Sequence, residues 1–428
     1  MTGKNIPNIS WIAEHGLCVG CGVCQEVCPQ QAIKIEPKEG LFRPIVDDNL
    51  CINTKGCHRC RLVCPGGGIE LDKYSHEISG ISVGIKRDYY LGNYINLYTA
   101  YSSDEWIRFH SASGGMTSQF LIFLLEKGLI KGAVVTRFNP TFNYQVETFI
   151  ATSRTEILEA KSSKYCPVSL AGIIKQIKKF DGKVAIVGLP CHIQGLRKFE
   201  KIDKIFRDRV FAYLGLYCSC GRSYRMTEYA FKIRDIKAAE LSYFSYRDEG
   251  CLGSMVAIGN RNGREYKVID GYQNYNLKLR SFFNVRRCMF CVDHFAELSD
   301  ISFGDIHYGK YINDKIGINS IVTRRKDIDE LLTEMYRDGY CTLEECRKED
   351  LMLAQKFVKT KKHINPSFIK IEKIRGGKTP VYDCKFKAHP IHKTIKGYLV
   401  KLAQIWIGGH ENLHWIVRKM CKDMSNWK

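Results

Sequence analysis

CVGCGVCQEVCP, residues 18–29, places four cysteines within eleven positions and closes on a proline. The stretch continues as CVGCGVCQEVCPQQAIKI (18–35) and is repeated in design by CINTKGCHRCRLVCPGGGIEL (51–71): a cysteine cluster, then Cys-Pro, then a short strand-like run. An internal repeat of this kind implies two similar sites in one pseudo-symmetric unit. Eight of the nineteen cysteines fall between Cys18 and Cys64, and that density then drops, which marks a small N-terminal module. Residues 1–17 have no charged region followed by an apolar run, so an exported disulfide framework is a poor explanation for so many thiols. Cytosolic thiols are kept reduced, and metal or redox chemistry becomes the leading reading, with a cytoplasmic location expected.

The spacing Cys18-x2-Cys21-x2-Cys24-x3-Cys28-Pro is that of the bacterial two-cluster ferredoxin run, in which the fourth cysteine ligates the other cluster of the pair. Cys64 then completes a cubane held by Cys18, Cys21 and Cys24, while Cys28 completes one held by Cys51, Cys57 and Cys60. The second run is Cys51-x5-Cys57-x2-Cys60-x3-Cys64-Pro, and its three extra residues predict a small loop after Cys51. A zinc site would instead show Cys-x2-Cys pairs parted by a longer loop. Two interlocked Cys-Pro runs favour a pair of [4Fe-4S] clusters.

Outward from this module the pattern changes. From about residue 90 to 340, apolar β-branched runs alternate with helix-length amphipathic segments, the pattern of an α/β domain with some parallel pairing. GAVVTRF (132–138) and KVAIVGLP (183–190) read as buried strands, and MTSQFLIFLLEKGLI (116–130) as a helix opened by Ser113-Gly114-Gly115. Free N–H groups at such a helix start suit a phosphate, with Lys164 as a counter-charge, although a simple N-cap explains the motif as well. No G-x-G-x-x-G occurs, and Arg375-Gly376-Gly377-Lys378-Thr379 has Glu372 where a P-loop needs its first glycine. A second, dispersed set of cysteines, Cys191, Cys218, Cys288 and Cys291, lies at the ends of strand-like runs and could hold a third cluster. Cys220 is an alternative to Cys218, Cys166 is a spare, and burial of any one of them as an ordinary core cysteine is the competing explanation.

The last forty or so residues differ again. Ile395, Tyr398, Leu399, Leu402, Ile405 and Trp406 keep helical spacing, as do Leu413, Ile416, Val417 and Met420 after Gly408-Gly409. Lys393, Lys396, Lys401, Arg418, Lys419 and Lys422 lie among them. Packing on the chain's own core is the plainer use of this tail, and docking on a partner or a membrane surface the alternative. The boundaries expected are therefore 1–78, 79–345 and 346–428.

Together, Ser113-Gly114-Gly115 before a helix ending in Glu126-Lys127-Gly128-Leu129-Ile130, then Ser163-Lys164-Tyr165, Gly188-Leu189-Pro190-Cys191, Cys218, and Cys288-x2-Cys291 leading to Asp300-Ile301-Ser302-Phe303-Gly304-Asp305, carry a resemblance. Over roughly residues 15–340 the chain resembles the coenzyme F420 hydrogenase/dehydrogenase beta-subunit family, in the version with a fused N-terminal two-cluster ferredoxin. The resemblance implies an α+β ferredoxin-like two-cluster module, an α/β flavin-binding domain and a helical C-terminal tail. It implies FAD, with Ser113, Gly114, Gly115, Lys164, Gly188, Pro190 and Asp305 at the flavin, and a third [4Fe-4S] cluster on Cys191, Cys218, Cys288 and Cys291. The activity implied is hydride exchange between coenzyme F420 and FAD, with single electrons passing through the clusters to a redox partner protein or small carrier. A flavin is stable in three redox states and so belongs between a two-electron donor and one-electron cubanes.

The formal charge of +20 suits an anionic coenzyme or an acidic partner. No nucleic acid is expected, because the 23 tyrosines and 21 phenylalanines are spread along the chain rather than interleaved with basic residues in one patch. His192, where relatives often have glutamine, and Tyr217-Cys218-Ser219-Cys220-Gly221, in place of Cys-His-Gly, depart from the family pattern and bear on the substrate. Two alternatives follow: a bacterial reductase or dehydrogenase acting on another substrate, in polysaccharide biosynthesis, or a ferredoxin-type electron-transfer protein without catalysis.

Overall fold

A computed structural model of the chain describes residues 7–79, 84–139 and 144–421. The centre is an eight-stranded mixed sheet in the order Cys341–Glu345, Leu97–Ser102, Asn319–Thr323, Ile301–Asp305, Val210–Leu216, Val184–Gly188, Gly132–Phe138 and Val146–Ala151. Four central strands, Ile301–Asp305 through Gly132–Phe138, run parallel, and the remaining neighbours are antiparallel. The two apolar runs expected to be buried strands are both in this parallel core.

Their residues alternate between two hydrophobic layers. Ala133, Val135, Ala185, Ala212 and Leu214 face a core shared with Phe120, Phe123, Ile328 and Leu332. Val134, Val184, Ile186 and Tyr213 face the opposite core with Ile174, Ile177, Ile193 and Phe199. A sheet covered on both faces needs continuously apolar strands, which is why the sequence there loses its polar alternation. The helix Met116–Glu126 buries Met116, Phe120, Leu121, Ile122, Phe123 and Leu124; full burial of each large side chain stabilises by about 2–3 kcal/mol.

The cysteine-rich module is built from short helices, Ser10–Glu14, Val23–Glu26 and Arg59–Leu62, and the hairpin Ile33–Lys38/Leu41–Val46. Glu39 and Gly40 both adopt positive φ between those strands, the geometry that matches hairpin twist. The second half of the repeat has no such hairpin. Its strand Gly68–Ile69 pairs in parallel with Val381–Tyr382 from the C-terminal region, so close that a Cβ on Gly68 would lie 1.9 Å from the Val381 carbonyl oxygen. The extra residues after Cys51 form the 3-10 turn Asn53–Lys55, closed by Gly56 at φ +88°.

One continuous core runs through the module and the sheet: Ile12, Leu17, Val23 and Val63 pack in the same cluster as Ile173, Ile193 and Tyr398. A separate antiparallel sheet, Leu241–Asp248, Ser254–Arg261 and Arg264–Gly271, has an Asn262-Gly263 turn. Phe244, Tyr246 and Met255 from this sheet pack against Phe138, Tyr165 and Cys166 at the carboxyl end of the strand Gly132–Phe138.

The C-terminal region is mainly helical. In the helix Ile391–Gly409, Tyr398 is fully buried and its ring meets Phe368 at 5.4 Å, while Leu402 and Ile405 pack on the core. Val417, in the helix His414–Met420, is buried beside Met226 and Phe283. Ile395, Leu399, Trp406, Trp415 and Met420 remain exposed; Lys422 lies outside the described residues. No helix among the described residues is long and apolar enough to cross a membrane.

Candidate redox site

Cys18, Cys21, Cys24 and Cys64 are buried in one place. Burial, and then Cys64 and Cys18, push the Cys21 thiol far up, and burial followed by Cys21, Cys64 and Cys18 does the same to Cys24. Thiols held un-ionised in this way, as Cys21, Cys24 and Cys64 are, need a cationic centre before they can be thiolates. Backbone donors already face them: Gly20 N–H donates to Cys18 Sγ and Gly66 N–H to Cys64 Sγ, each at 3.3 Å. Gly66 has no room for a side chain, since a Cβ would sit 2.6 Å from the Leu17 carbonyl oxygen.

Cys28, Cys51, Cys57 and Cys60 line a small cavity together with Asn8, Ile33 and Ile52. Burial raises Cys60 to about 11, with Cys57 and Cys51 adding to it. Ala32 N–H donates to Cys28 Sγ at 3.3 Å. The fold thus sorts the eight N-terminal cysteines into two groups of four, each taking one residue from the other half of the repeat. Among the described residues no three His, Cys, Asp or Glu side chains gather tightly enough for a single metal ion. The donor set of each group, four cysteines with backbone N–H groups facing sulfur, is the one that iron-sulfur cubanes take.

The dispersed cysteines also converge. Cys191 follows the strand Val184–Gly188, Cys218 follows Val210–Leu216, and Cys288 and Cys291 lie in and just after the 3-10 turn Arg286–Phe290. Burial, then Cys218, Cys288, Cys21 and Cys291, push the Cys191 thiol far up, so this residue stands between the dispersed set and the first N-terminal group. Burial raises Cys218 to about 12, and Cys288 and Cys291 are among its neighbours. Gly221 N–H donates to Cys288 Sγ at 3.2 Å. Cys220 is close by, with Arg222 Nη1 donating to its sulfur at 2.8 Å. Cys166 is elsewhere, buried under the three-stranded sheet beside Tyr224 and Tyr246.

The carboxyl ends of parallel strands in an open sheet form a crevice where ligands bind. Here that edge carries Phe138, Gly188-Leu189-Pro190, Tyr217 and Asp305. Pro190 opens the helix Pro190–Glu200, and a Cβ on Gly188 would press on His192 Cβ at 3.2 Å. His192 itself is buried, and burial lowers it to about 4, so it is a neutral imidazole. Asp305 Oδ2 accepts from Arg247 Nη1 at 2.8 Å, and Tyr165 OH is 3.4 Å from the same nitrogen.

Ser113, Gly114 and Gly115 are buried. Ser113 Oγ donates to the Ile318 carbonyl at 2.6 Å, and Met116 N–H donates to Asn319 Oδ1 at 3.1 Å. Gly115 caps the helix at φ +76°, and the remaining first-turn N–H groups have no intrahelical acceptor. Lys164 Nζ donates to the carbonyls of Ala160 and Lys161 at 2.9 and 2.5 Å, so it is held by its own loop.

The strongest ligand-binding features are residues that spacing did not single out. Arg247 and Arg222 are 2% and 3% exposed, yet Arg247 Nη2 and Arg222 Nε have no hydrogen-bond partner, nor does Nδ2 of the fully buried Asn276. Tyr165 and Tyr272 lie between them: the rings are 5.7 Å apart, Arg247 stands 5.0 Å over Tyr272 and Arg222 5.9 Å over Tyr165. Burial, and then Arg222, lower the nearby Arg280 guanidinium. Among the described residues no carboxylate neutralises Arg222 or Arg280. Buried donors and cations of this kind cost stability until an anion meets them. In the sequence Arg222 merely follows the run Tyr217-Cys218-Ser219-Cys220-Gly221, and Arg247 belongs to no motif.

Comparison with known proteins gives the family. Residues 97–175 match the N-terminal part, and residues 181–349 the C-terminal part, of the coenzyme F420 hydrogenase/dehydrogenase beta subunit, and residues 17–68 match a 4Fe-4S dicluster domain. An F(420)H(2) dehydrogenase subunit of Methanosarcina mazei is 25% identical over 84% of this chain and 93% of its own. The coenzyme F420 hydrogenase beta subunit of Methanosarcina barkeri is 25% identical over 68% and 96%. The coenzyme F420-dependent sulfite reductase of Methanocaldococcus jannaschii is 25% identical over 81% of this chain, which spans only 50% of that protein. A chain of the F420-reducing [NiFe] hydrogenase complex from Methanosarcina barkeri shares the fold, with a TM-score of 0.55 and 24% identity over 69% of this chain and 98% of that one. With two groups of four cysteines in a dicluster domain and a mixed sheet bearing the family's own segments, the chain belongs to the coenzyme F420 hydrogenase/dehydrogenase beta-subunit family.

Proposed function

We propose that this chain is an iron-sulfur flavoprotein oxidoreductase that exchanges a hydride between coenzyme F420 and FAD and passes single electrons to a partner protein or small carrier. One observation carries the reading: the anion-seeking cluster of Arg222, Arg247, Tyr165 and Tyr272 adjoins Cys220, which neighbours Cys288, which neighbours Cys191, which in turn neighbours Cys21 of the first N-terminal group. Flavin chemistry supplies the conversion of a hydride into two single electrons, and cubanes accept those electrons one at a time.

The chain's own residues bind and position. Cys18, Cys21, Cys24 and Cys64 hold one [4Fe-4S] cluster, Cys28, Cys51, Cys57 and Cys60 a second, and Cys191, Cys218, Cys288 and Cys291 a third. Arg222, Arg247 and Asn276 present the unpartnered donors that suit the pyrophosphate of a dinucleotide. Ser113, Gly114 and Gly115 shape the adjoining wall, Gly188 and Pro190 let the backbone approach closely, and Asp305 fixes the Arg247 fork. Lys164, tied to its own loop, supports the wall rather than serving as a counter-charge.

Anaerobic mixing of the iron- and flavin-loaded protein with reduced coenzyme F420 tests this. Flavin and cluster absorbance should bleach together. An unchanged flavin spectrum that bleaches only with dithionite would reject coenzyme F420 as the hydride donor. Absence of any flavin after anaerobic reconstitution would reject the flavoprotein reading itself.

A further inference from the structure

Lys361 lies in a single π-helical turn, Thr360–Ile364, beyond the residues that match the family. Such turns are rare and collect at functional sites. This one aims two consecutive lysines inward, Lys361 and Lys362, which are 2% and 3% exposed. Lys362 meets Glu297 Oε1 at 2.6 Å, a buried ion pair. Among the described residues Lys361 has no such carboxylate partner. Its ammonium donates to the Asp293 carbonyl at 2.8 Å and to Cys291 Sγ at 3.1 Å, and Cys291, Cys218 and Cys288 are the side chains that bear on it most, with Cys220, His294 and Tyr382 also near. From the same segment Asn365 Nδ2 donates to the carbonyls of Cys288 and Cys291 at 3.2 and 2.7 Å, so the cysteine loop is held where Lys361 can reach it.

A buried ammonium that meets no carboxylate is costly unless negative charge comes to it. A cubane bound by four thiolates carries net negative charge, and one more unit when it takes an electron. A fixed positive charge at a ligand sulfur favours the more negative state, and hydrogen bonds to sulfur tune cluster potentials in the same sense.

We propose that Lys361 is the counter-charge of the third cluster and holds its reduction potential above the value the same ligands would give without it. This rests on the reading that Cys191, Cys218, Cys288 and Cys291 hold a cluster. The C-terminal region thereby sets how readily the cluster nearest the flavin pocket collects an electron, and the N-terminal clusters, which Lys361 does not touch, are an internal control.

The test is an anaerobic redox titration of the full-length, iron-reconstituted protein, followed by electron paramagnetic resonance, in the wild type, Lys361→Gln, Lys361→Met and Lys361→Arg, with iron and sulfide content measured on each sample. Gln keeps an N–H donor without the charge. We expect the third-cluster midpoint to fall in the Gln and Met variants by at least a tenfold change in the ratio of oxidised to reduced cluster, about 59 mV. The N-terminal midpoints should stay unchanged, and Lys361→Arg should restore the wild-type value. Loss of the third cluster from Gln and Met alone, with Arg retaining it, would show the same counter-charge as iron retention. A third cluster present at an unchanged midpoint in Lys361→Gln would overturn the proposal. Iron for only two clusters in the wild type would overturn the reading beneath it as well.

Discussion

Gly195, in the helix that begins at Pro190, packs closely on Val23 of the cysteine-rich module: a Cβ there would press on Val23 Cγ2 at 3.2 Å and touch Pro65 Cδ at 3.5 Å. That contact brings Cys191, at the start of the same helix, into reach of Cys21. Lys198, one turn later, donates to the carbonyls of Cys64 and Gly68 at 3.1 and 2.5 Å, and Arg287 to those of Gly66 and Pro65 at 3.1 and 2.9 Å. The module is docked through its cluster-binding loops, not through a linker.

Gly195→Val is therefore expected to cost about 1–3 kcal/mol by overpacking this contact. It should also slow electron passage from the flavin to the N-terminal clusters while leaving their iron content intact. Thermal unfolding and stopped-flow absorbance after hydride addition read the two effects separately. An unaltered transfer rate in a destabilised variant would show that the contact serves packing alone.

Cys191→Ala and Cys64→Ala separate the cluster assignments. The first should remove the iron of one cluster and keep the paired-cluster magnetic signature. The second should disturb that signature and leave the flavin-proximal cluster in place. Iron analysis with electron paramagnetic resonance distinguishes them, and identical losses in both variants would contradict the grouping.

Arg247→Lys keeps a positive charge for Asp305 but loses the second arm of the fork, whose Nη2 has no partner among the described residues. Charge-assisted hydrogen bonds are worth about 1.5–3 kcal/mol, so FAD should bind roughly 10- to 100-fold more weakly. Flavin fluorescence titration against the flavin-free, iron-loaded protein measures this. Wild-type affinity in the variant would place the dinucleotide elsewhere.

Burial, and then Lys161, lower Lys164 to about 7 from an ordinary lysine value of 10.5. Between those values the folded chain binds fewer protons than the unfolded one, so this residue's contribution to stability rises with pH. It is lost as pH falls toward 7, at up to about 1.4 kcal/mol per unit. Relative to Lys164→Met, the wild type should gain stability from pH 7 to pH 10, measured by thermal midpoints across that range. Parallel curves would mean that the amine is charged throughout.

What the sequence determined by itself is the chemistry whose geometry is local. Ligand spacing such as Cys18-x2-Cys21-x2-Cys24 is set within a turn or two of backbone, and the buried strands 132–138 and 184–188 announce themselves because a sheet covered on both faces tolerates only apolar side chains. The family motifs were legible for the same reason, as short runs at strand ends and helix starts. The tertiary structure alone decided what depends on distant segments meeting. Nothing in the spacing of Lys361 distinguishes it from a solvated lysine, yet a π turn carries it to Cys291, seventy positions away in the chain. Val381 reaches Gly68 across a still longer separation, and Arg222 and Arg247 meet about Tyr165 only when the three-stranded sheet packs over it. Burial, not residue type, turns those side chains from surface charge into groups that require an anion.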